Sequence, residues 1–441
     1  MRRALVLVLA LAAACGAPPV GPREPEGPTA GPPTTAEPAE GTPGRRPTRS
    51  EARALAHLMR VAEELRNLRF ERPVPVRVQS REVITDFVRE KIDVEELEHA
   101  RVFYVALGLL PPDLDVRELL IRVLGEQIIG YYDPERGLMV LRDDIAEGLE
   151  ARGELGEAEM VIVHELVHAL QDQALRLGDR YGVERTIDEE NAFSALVEGD
   201  ATLAMIGHVA MQARRPLSAL TRNVQLMRML VQQSPAAAVQ GQEIESAPPI
   251  VRVPLLSRYL DGMLFCASLH GQRDWEGVDD AHRTPPTSSE QILHPERYLA
   301  GEQPVQVELP VLPELDAAGW ATHDEDTLGE LESSIYFGLA RGVDRDASAG
   351  EGWGGDRIRI YRNGEGRTAV VWISVWDDEA EATEAASSAT RIVDAIASER
   401  RPTHLVERRG RALLIVRDLP APLHGAVHEA FARTTAAYTR P

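Results

Sequence analysis

Two histidines and a glutamate near the middle of the chain have the spacing of a catalytic metal site. His164, Glu165 and His168 lie in the largely apolar segment 160–170, which contains no Gly or Pro and predicts a helix. On a helix, the two histidines are one turn apart on the same face, so both imidazoles can reach one cation. Glu165 projects about 100° away from His164 and could hold a water molecule without binding the metal. Two histidines that simply sit on a half-buried helix are the alternative.

A catalytic zinc site has three protein ligands and an open position, so a third ligand must come from elsewhere in the chain. The segment 188–202 predicts a second long helix that carries several carboxylates. We choose Glu198, because it interrupts a largely apolar run in which a carboxylate costs free energy unless it binds something. A partly exposed Glu198 without a ligand is the alternative, and Asp200 could hold a ligand histidine in place. The carboxylates available for the third position are Asp188, Glu189, Glu190, Glu198 and Asp200.

This set of residues predicts metal-assisted hydrolysis of a peptide bond. Zn²⁺ held by His164, His168 and Glu198 would lower the pKa of a bound water molecule towards about 7. Glu165 would take a proton from that water as general base and deliver it to the leaving amine. An amidase that cleaves cell-wall peptides could use the same residues. The alternative from another class is a non-catalytic zinc-containing envelope protein that acts as a binding or chaperone-like module, although such a site has no use for the base.

Peptide hydrolysis develops negative charge on the carbonyl oxygen, which a neutral His or Tyr beside the metal can stabilise. His294 and Tyr298, in the segment 288–298, are the first candidates for this role. Tyr131 and Tyr132 compete with them from a predicted β-hairpin. A purely structural histidine is the alternative for His294.

Two further features predict how the surrounding elements position these residues. The segment 128–141 has turn residues between two apolar arms and predicts a β-hairpin. In zinc peptidases the strand before the metal-binding helix commonly forms one wall of the cleft, where an extended substrate can pair with it. The hairpin could equally serve only to pack under the helix. Gly262, in a predicted helix over 256–269, marks a position where two elements could approach closely.

Length and composition predict a globular protein of more than one domain. The chain has 441 residues, of which 44% are hydrophobic, which is enough for two or three cores. We expect an α+β protein: a mostly helical, zincin-like metallopeptidase domain with a small sheet over 51–309, and a smaller α/β domain over 310–441. In the second domain one sheet should carry its helices on one face. The net charge of −22 argues against nucleic acid as a partner.

Four segments together resemble a group of largely uncharacterised bacterial HExxH lipoproteins, over most of residues 65–380. Glu198 as third ligand would place the chain among the gluzincins. The resemblance implies a zinc-dependent hydrolase fold that acts on a peptide or protein, and it supplies no defined substrate. The segments that carry it are HELVHALQDQ (164–173), ALVEGDA (195–201), GYYDP (130–134) and PPTSSEQILHPERY (285–298).

The N-terminus predicts export and attachment to a membrane through lipid. Residues 1–14 have the charged start, short apolar core and small residues of a signal peptide. LAAACG resembles a bacterial lipobox, with Ala12 where Leu is commoner, which implies cleavage before Cys15 and lipid on its thiol. An ordinary signal peptide cleaved nearby is the alternative. Residues 15–50 are rich in Pro and predict an extended tether. We expect the cell envelope, and the outer membrane where there is one, because Gly16 does not resemble an inner-membrane retention signal.

Overall fold

The computed structural model describes residues 43–149, 157–233 and 242–435. Over these ranges the chain is a mixed α+β protein with two sheets, as the sequence predicts. The predicted signal peptide (1–14), Cys15 and most of the predicted tether lie outside the described residues. In the part of the chain that the structure describes, no helix is both long and apolar enough to span a membrane.

The first part of the chain is mostly helical and includes a three-stranded sheet. Its elements are α1 (Arg49–Arg66), β1 (Val76–Gln79), α2 (Arg81–Lys91), α3 (Val94–Leu107), α4 (Val116–Gln127), β2 (Gly130–Asp133), β3 (Leu138–Arg142), α5 (Asp143–Gly148), α6 (Glu157–Leu175), α7 (Ile187–Gln212), α8 (Ser218–Thr221), α9 (Val224–Gln233), α10 (Gln242–Ser246), α11 (Pro249–Arg283), α12 (Ser289–Leu293), α13 (Pro295–Ala300) and α14 (Pro313–Ala317).

Ordered structure begins before the predicted boundary at residue 51. Thr48 caps α1, its side chain accepting a hydrogen bond from the backbone N–H of Glu51 while the Glu51 carboxylate reaches back to the Thr48 N–H. Arg45 pairs with Val78 in a short antiparallel bridge. The last residues assigned to the tether therefore belong to the folded domain.

The predicted hairpin forms and lies beside the helix that carries both histidines. In the three-stranded sheet β3 is central, parallel to β1 and antiparallel to β2, so β2 is an edge strand. One face of α6 packs with α1 against this sheet, through residues such as Leu166 and Met139. Its opposite face packs through Val167 against α7 and α11. Burial on both sides explains why α6 is apolar nearly all the way round.

Two helix boundaries differ from the prediction. The sequence predicts a helical stretch over 81–108 that ends at Gly108 and at the prolines that follow. The structure has two helices there, because Asp93 caps a new start at α3 by accepting from two backbone N–H groups. The helix expected over 256–269 starts earlier, at Pro249, contains Pro254, and continues to a break at Arg273 and Asp274, whose backbone angles are not helical. Tertiary packing thus overrides the helix-breaking tendency of that proline.

The helices α7 and α11 cross in near backbone contact, as Gly262 predicts. A Cβ on Gly262 would lie 2.1 Å from the Ala195 carbonyl oxygen, and a Cβ on Gly199 would lie 2.1 Å from the Gly262 carbonyl carbon. Only residues without a side chain fit at this crossing. It places α7, which contains Glu198, directly against α11.

The C-terminal part is built on a five-stranded antiparallel sheet of order β4-β5-β6-β8-β7. The first strand was not predicted. The elements are β4 (Trp320–Asp326), α15 (Gly329–Gly338), α16 (Ala347–Gly350), β5 (Trp353–Asn363), β6 (Thr368–Trp376), α17 (Glu379–Ala395), β7 (Leu405–Arg409), β8 (Ala412–Arg417) and α18 (His424–Thr435).

The expectation that helices cover one face of this sheet is wrong. Trp372 and its alternate neighbours pack with α15 and α17, whereas Ile373 and its alternate neighbours pack with α18. Strands buried on both faces are continuous apolar runs, and the segments 369–373 and 412–416 have this pattern.

The C-terminal part also completes the start of α7. The backbone N–H of Ile187 donates to Asp326 Oδ1 (2.9 Å), and the N–H of Asp188 donates to the Thr327 carbonyl oxygen (3.2 Å). These are N–H groups that a helix start leaves without partners inside the helix. Since one hydrophobic core also includes residues of both parts, the predicted boundary at 310 does not separate independent cores.

We expect Gly199→Ala to destabilise the protein by about 3 kcal/mol, because the added methyl group would force α7 and α11 apart. The measurement is the free energy of unfolding from urea denaturation. Gly364→Ala is the matched control, since an added Cβ there meets nothing within 4 Å, and its change should stay within about 0.5 kcal/mol. Equal urea midpoints for Gly199→Ala and Gly364→Ala would contradict close backbone contact between α7 and α11.

Candidate metal centre

The structure brings His164, His168 and Glu198 together at one point between α6 and α7. His164 Nε2 lies 3.1 Å from His168 Nε2 and 3.1 Å from Glu198 Oε2, and His168 Nε2 lies 3.6 Å from the same oxygen. All three side chains are at least nine-tenths buried. The two histidines share a helix face because they are four residues apart, whereas Glu198 arrives through packing of the second helix.

The spacing of these three atoms fits a small metal ion. In a tetrahedral site with bonds of about 2.0–2.2 Å, ligand atoms lie about 3.3–3.6 Å apart. The three separations, 3.1, 3.1 and 3.6 Å, lie within or just below that range. Two imidazoles and one carboxylate are the donor set of several catalytic zinc sites. The other oxygen of Glu198 is buried and has no hydrogen-bond partner among the described residues.

The electrostatics of this point favour a positive charge. Burial opposes protonation of His168, but the charges of Glu198 and Glu165 outweigh burial and raise its pKa to about 9. Burial likewise opposes ionisation of Glu198, and the two histidines outweigh it and lower the pKa of Glu198 to about 2. For His164, burial and the nearby His168 lower the pKa. A bound metal ion would replace the proton that this arrangement attracts.

Gln171 fixes which nitrogen of His168 faces the cluster. The Gln171 amide nitrogen lies 3.0 Å from the Val197 carbonyl oxygen and 2.9 Å from Asp200 Oδ2, both of which only accept hydrogen bonds. The amide oxygen must therefore face His168 Nδ1, at 2.9 Å, and accept its proton. Nε2 is therefore the nitrogen that faces Glu198, and its lone pair is available to a metal ion when the ring is neutral. Sequence reasoning assigned Gln171 no role, although its position three residues after His168 places it on the same helix face.

Asp200 was expected to hold a ligand histidine and lies one step further away. Its Oδ2 accepts from Gln171 and lies 2.8 Å from His282 Nε2. The contact with His168 therefore runs through the Gln171 amide, because a carboxylate on α7 at this position reaches the amide and not the ring.

Glu165 lies between the cluster and the edge strand β2. Its pKa is raised to about 8 by burial and the charge of Glu198, against the opposing effects of His168 and a hydrogen bond from the backbone N–H of Tyr132. Its Oε2 is buried without a hydrogen-bond partner in the described ranges. A carboxylate with a pKa near neutral and one free oxygen is suited to act as a general base.

The register of β2 explains why its backbone reaches Glu165. The N–H of Arg142, on β3, donates to the carbonyl oxygen of Ile129, which directly precedes β2. These two residues therefore form a hydrogen-bonded pair between the strands. Because such pairs alternate along antiparallel strands, the N–H and C=O groups of Gly130 and Tyr132 point away from β3. The outer edge of β2 thus faces the candidate base.

The residues predicted to stabilise an oxyanion have other polar partners. His294 Nε2 lies 3.0 Å from Glu330 Oε1, and the Tyr298 hydroxyl donates to the Thr284 carbonyl oxygen. The Tyr132 hydroxyl donates to Asp172 Oδ2 at 2.7 Å, and Tyr131 stacks on a phenylalanine ring. None of these contacts brings a hydroxyl or imidazole to His164, His168 or Glu198.

Tyr259, on α11, is the aromatic residue beside the cluster. The centre of its ring lies 6.0 Å from that of His164. Burial, the negative charges of Glu198 and Glu165, and a hydrogen bond to Glu198 raise the pKa of its hydroxyl well above the usual value. The hydroxyl therefore stays protonated and lies near both Glu198 and Glu165. Sequence reasoning missed Tyr259 because nothing in its segment relates it to residues almost one hundred positions earlier.

A second group of carboxylates, Glu290, Glu302 and Asp377, also lies close enough to share a cation. Arg297 pairs with all three. The guanidinium already provides the positive charge, so we assign no metal to this group.

Residues 317–426 match a family described as a domain of unknown function (DUF8575). This match covers the five-stranded sheet and leaves out α6 and α7. No curated protein and no solved structure matches the chain.

We expect the purified protein to contain about one zinc ion per chain, and His164→Ala to lose it, since two remaining ligands hold zinc weakly. Elemental analysis by mass spectrometry measures the zinc content. His424→Ala is the matched control: His424 and His428 are also four residues apart on a helix, but they contact the Leu419 carbonyl oxygen and Glu407. Full zinc content in His164→Ala would contradict the assignment.

Proposed function

We propose that this protein is a zinc-dependent peptide-bond hydrolase with a zincin-like catalytic domain. The observation that supports it most strongly is the convergence of His164, His168 and Glu198 at the spacing of a tetrahedral metal site, with Glu165 beside them. Zn²⁺ bound there would polarise the scissile carbonyl group and lower the pKa of a water molecule.

Two side chains beside this point have separate roles in the proposed hydrolysis. Glu165 takes a proton from the attacking water on its unpaired Oε2 and delivers it to the leaving amine. Tyr259 donates its hydroxyl proton in a hydrogen bond to the developing oxyanion. It takes the role that the sequence suggested for His294 and Tyr298, whose polar groups are engaged elsewhere.

The edge of β2 supports an extended peptide as substrate. Gly130 and the carbonyl group of Tyr132 face away from β3, whereas the Tyr132 N–H is bonded to Glu165. The free groups of such an edge can pair with a strand of another chain. Either a protein or a cell-wall peptide satisfies this chemistry. Attachment to the envelope through Cys15 stays part of the proposal, and this residue lies outside the described ranges.

We expect Glu165→Gln to keep its zinc and to lower turnover of an unbiased peptide library by about 10²–10⁴-fold, because the amide cannot accept the proton. Turnover is followed by mass spectrometry of the cleaved peptides. Glu159→Gln is the matched control, a more exposed glutamate on the same helix, and should behave as wild type. If wild type and Glu165→Gln are equally inactive while a partner protein co-purifies, the non-catalytic binding module replaces this proposal.

We expect Tyr259→Phe to lower kcat by about 10²-fold with little change in KM, since the lost hydrogen bond forms in the transition state. Steady-state kinetics on a peptide cleaved by the wild type gives both constants. Tyr298→Phe is the control, because its hydroxyl donates to the Thr284 carbonyl oxygen. A loss confined to Tyr298→Phe would restore the role predicted from the sequence.

A further inference from the structure

We infer that Arg66, at the end of the N-terminal helix α1, is a positioning residue of the metal centre. It acts through Asp200 and Gln171 on the orientation and tautomer of His168. The inference rests on the proposed metal site, and does not depend on which reaction that site performs.

Asp200 is the centre of a buried polar network. Its carboxylate is fully buried and accepts from Arg66 Nε at 2.6 Å and from the Gln171 amide at 2.9 Å, while His282 Nε2 lies 2.8 Å away. Three partners from three separate helices leave this side chain no freedom to turn. The Gln171 amide, which must satisfy Asp200 on one side, presents its oxygen to His168 on the other.

Arg66 is itself held from two further directions. Its Nη2 donates to Asp279 Oδ1 at 2.6 Å, and its guanidinium lies 4.5 Å from the centre of the Trp275 ring. The side chain is completely buried, yet Nη1 has no hydrogen-bond partner among the described residues. Burial of an incompletely paired charge lowers stability compared with an apolar residue. This cost indicates that Arg66 does more than fill space.

The opposite charges of Arg66 and Asp200 explain why loss of Arg66 should weaken metal binding. A buried Asp200 carboxylate without Arg66 would be a charge without its cationic partner, which the protein relieves by moving groups. Such a movement disturbs one of the two acceptors, Asp200 and the Val197 carbonyl oxygen, that orient the Gln171 amide. If the amide turns, His168 loses the acceptor for its Nδ1 proton, and its Nε2 lone pair no longer points at the metal. Partners of this kind typically contribute 10–100-fold to metal affinity.

The test is a double-mutant cycle in the full-length chain, with the zinc Kd measured by competition with a chromophoric chelator. We expect Gln171→Met and Arg66→Lys each to raise the Kd by at least about 10-fold. Because Arg66 acts through Gln171, the double variant should bind zinc no more weakly than Gln171→Met alone. Arg417→Lys is the matched control, a buried arginine whose guanidinium lies near the Tyr336 ring, and it should keep the wild-type Kd.

Two results would overturn the inference: a wild-type Kd for Arg66→Lys, or losses that multiply in the double variant. If Arg66→Lys does not fold, Asp279→Asn loosens the same guanidinium from its more exposed side. A several-fold higher Kd supports the inference, and an unchanged Kd overturns it. A wild type that binds zinc without cleaving peptides removes only the proposed hydrolysis, whereas one that binds no zinc removes the metal site and this inference together.

Discussion

Three electron-rich atoms meet in a buried space between α6 and α7, and the surrounding structure depends on a positive charge at that point. Two imidazole nitrogens and a carboxylate oxygen cannot lie 3.1–3.6 Å apart in an apolar interior unless a proton or metal ion lies among them. The position of α7, which carries Glu198, must therefore be held closely. The Gly199–Gly262 crossing provides this, because backbone contact leaves α7 little room to slide along α11.

The three-stranded sheet holds the candidate base, Glu165, through its edge strand. The edge strand β2 directs one N–H, that of Tyr132, at the Glu165 carboxylate, and leaves neighbouring backbone groups facing the same side. One strand can thus hold the base and present an edge to an extended chain. The predicted hairpin leaves open whether the strand forms a cleft wall or only packs under the helix. In the structure it packs against α6 through one face and directs its backbone edge towards Glu165, and its use as a cleft wall stays a proposal.

The five-stranded sheet has a structural connection to the candidate metal centre although none of its residues belongs to it. Asp326 and Thr327 accept from the first N–H groups of α7, the helix that carries Glu198. The Ser289 backbone N–H also donates to Asp188 near the same helix start. The part of the chain that matches a family of unknown function therefore helps to fix the position of Glu198. The family match alone does not reveal that this sheet supports another part of the chain.

The sequence by itself determined the features that depend on a single helix or hairpin. The 3.6-residue period of a helix places His164, Glu165 and His168, and the unfavourable burial of a carboxylate singled out Glu198. Turn residues between two apolar arms located the hairpin, and Gly262 marked a close approach. Only the tertiary structure decided that Tyr259 lies beside the cluster, that His294 and Tyr298 have other partners, and that Gln171 stands between His168 and Asp200. These contacts join helices far apart in the chain, and their geometry is set by how whole faces pack, which residue spacing along one segment does not encode.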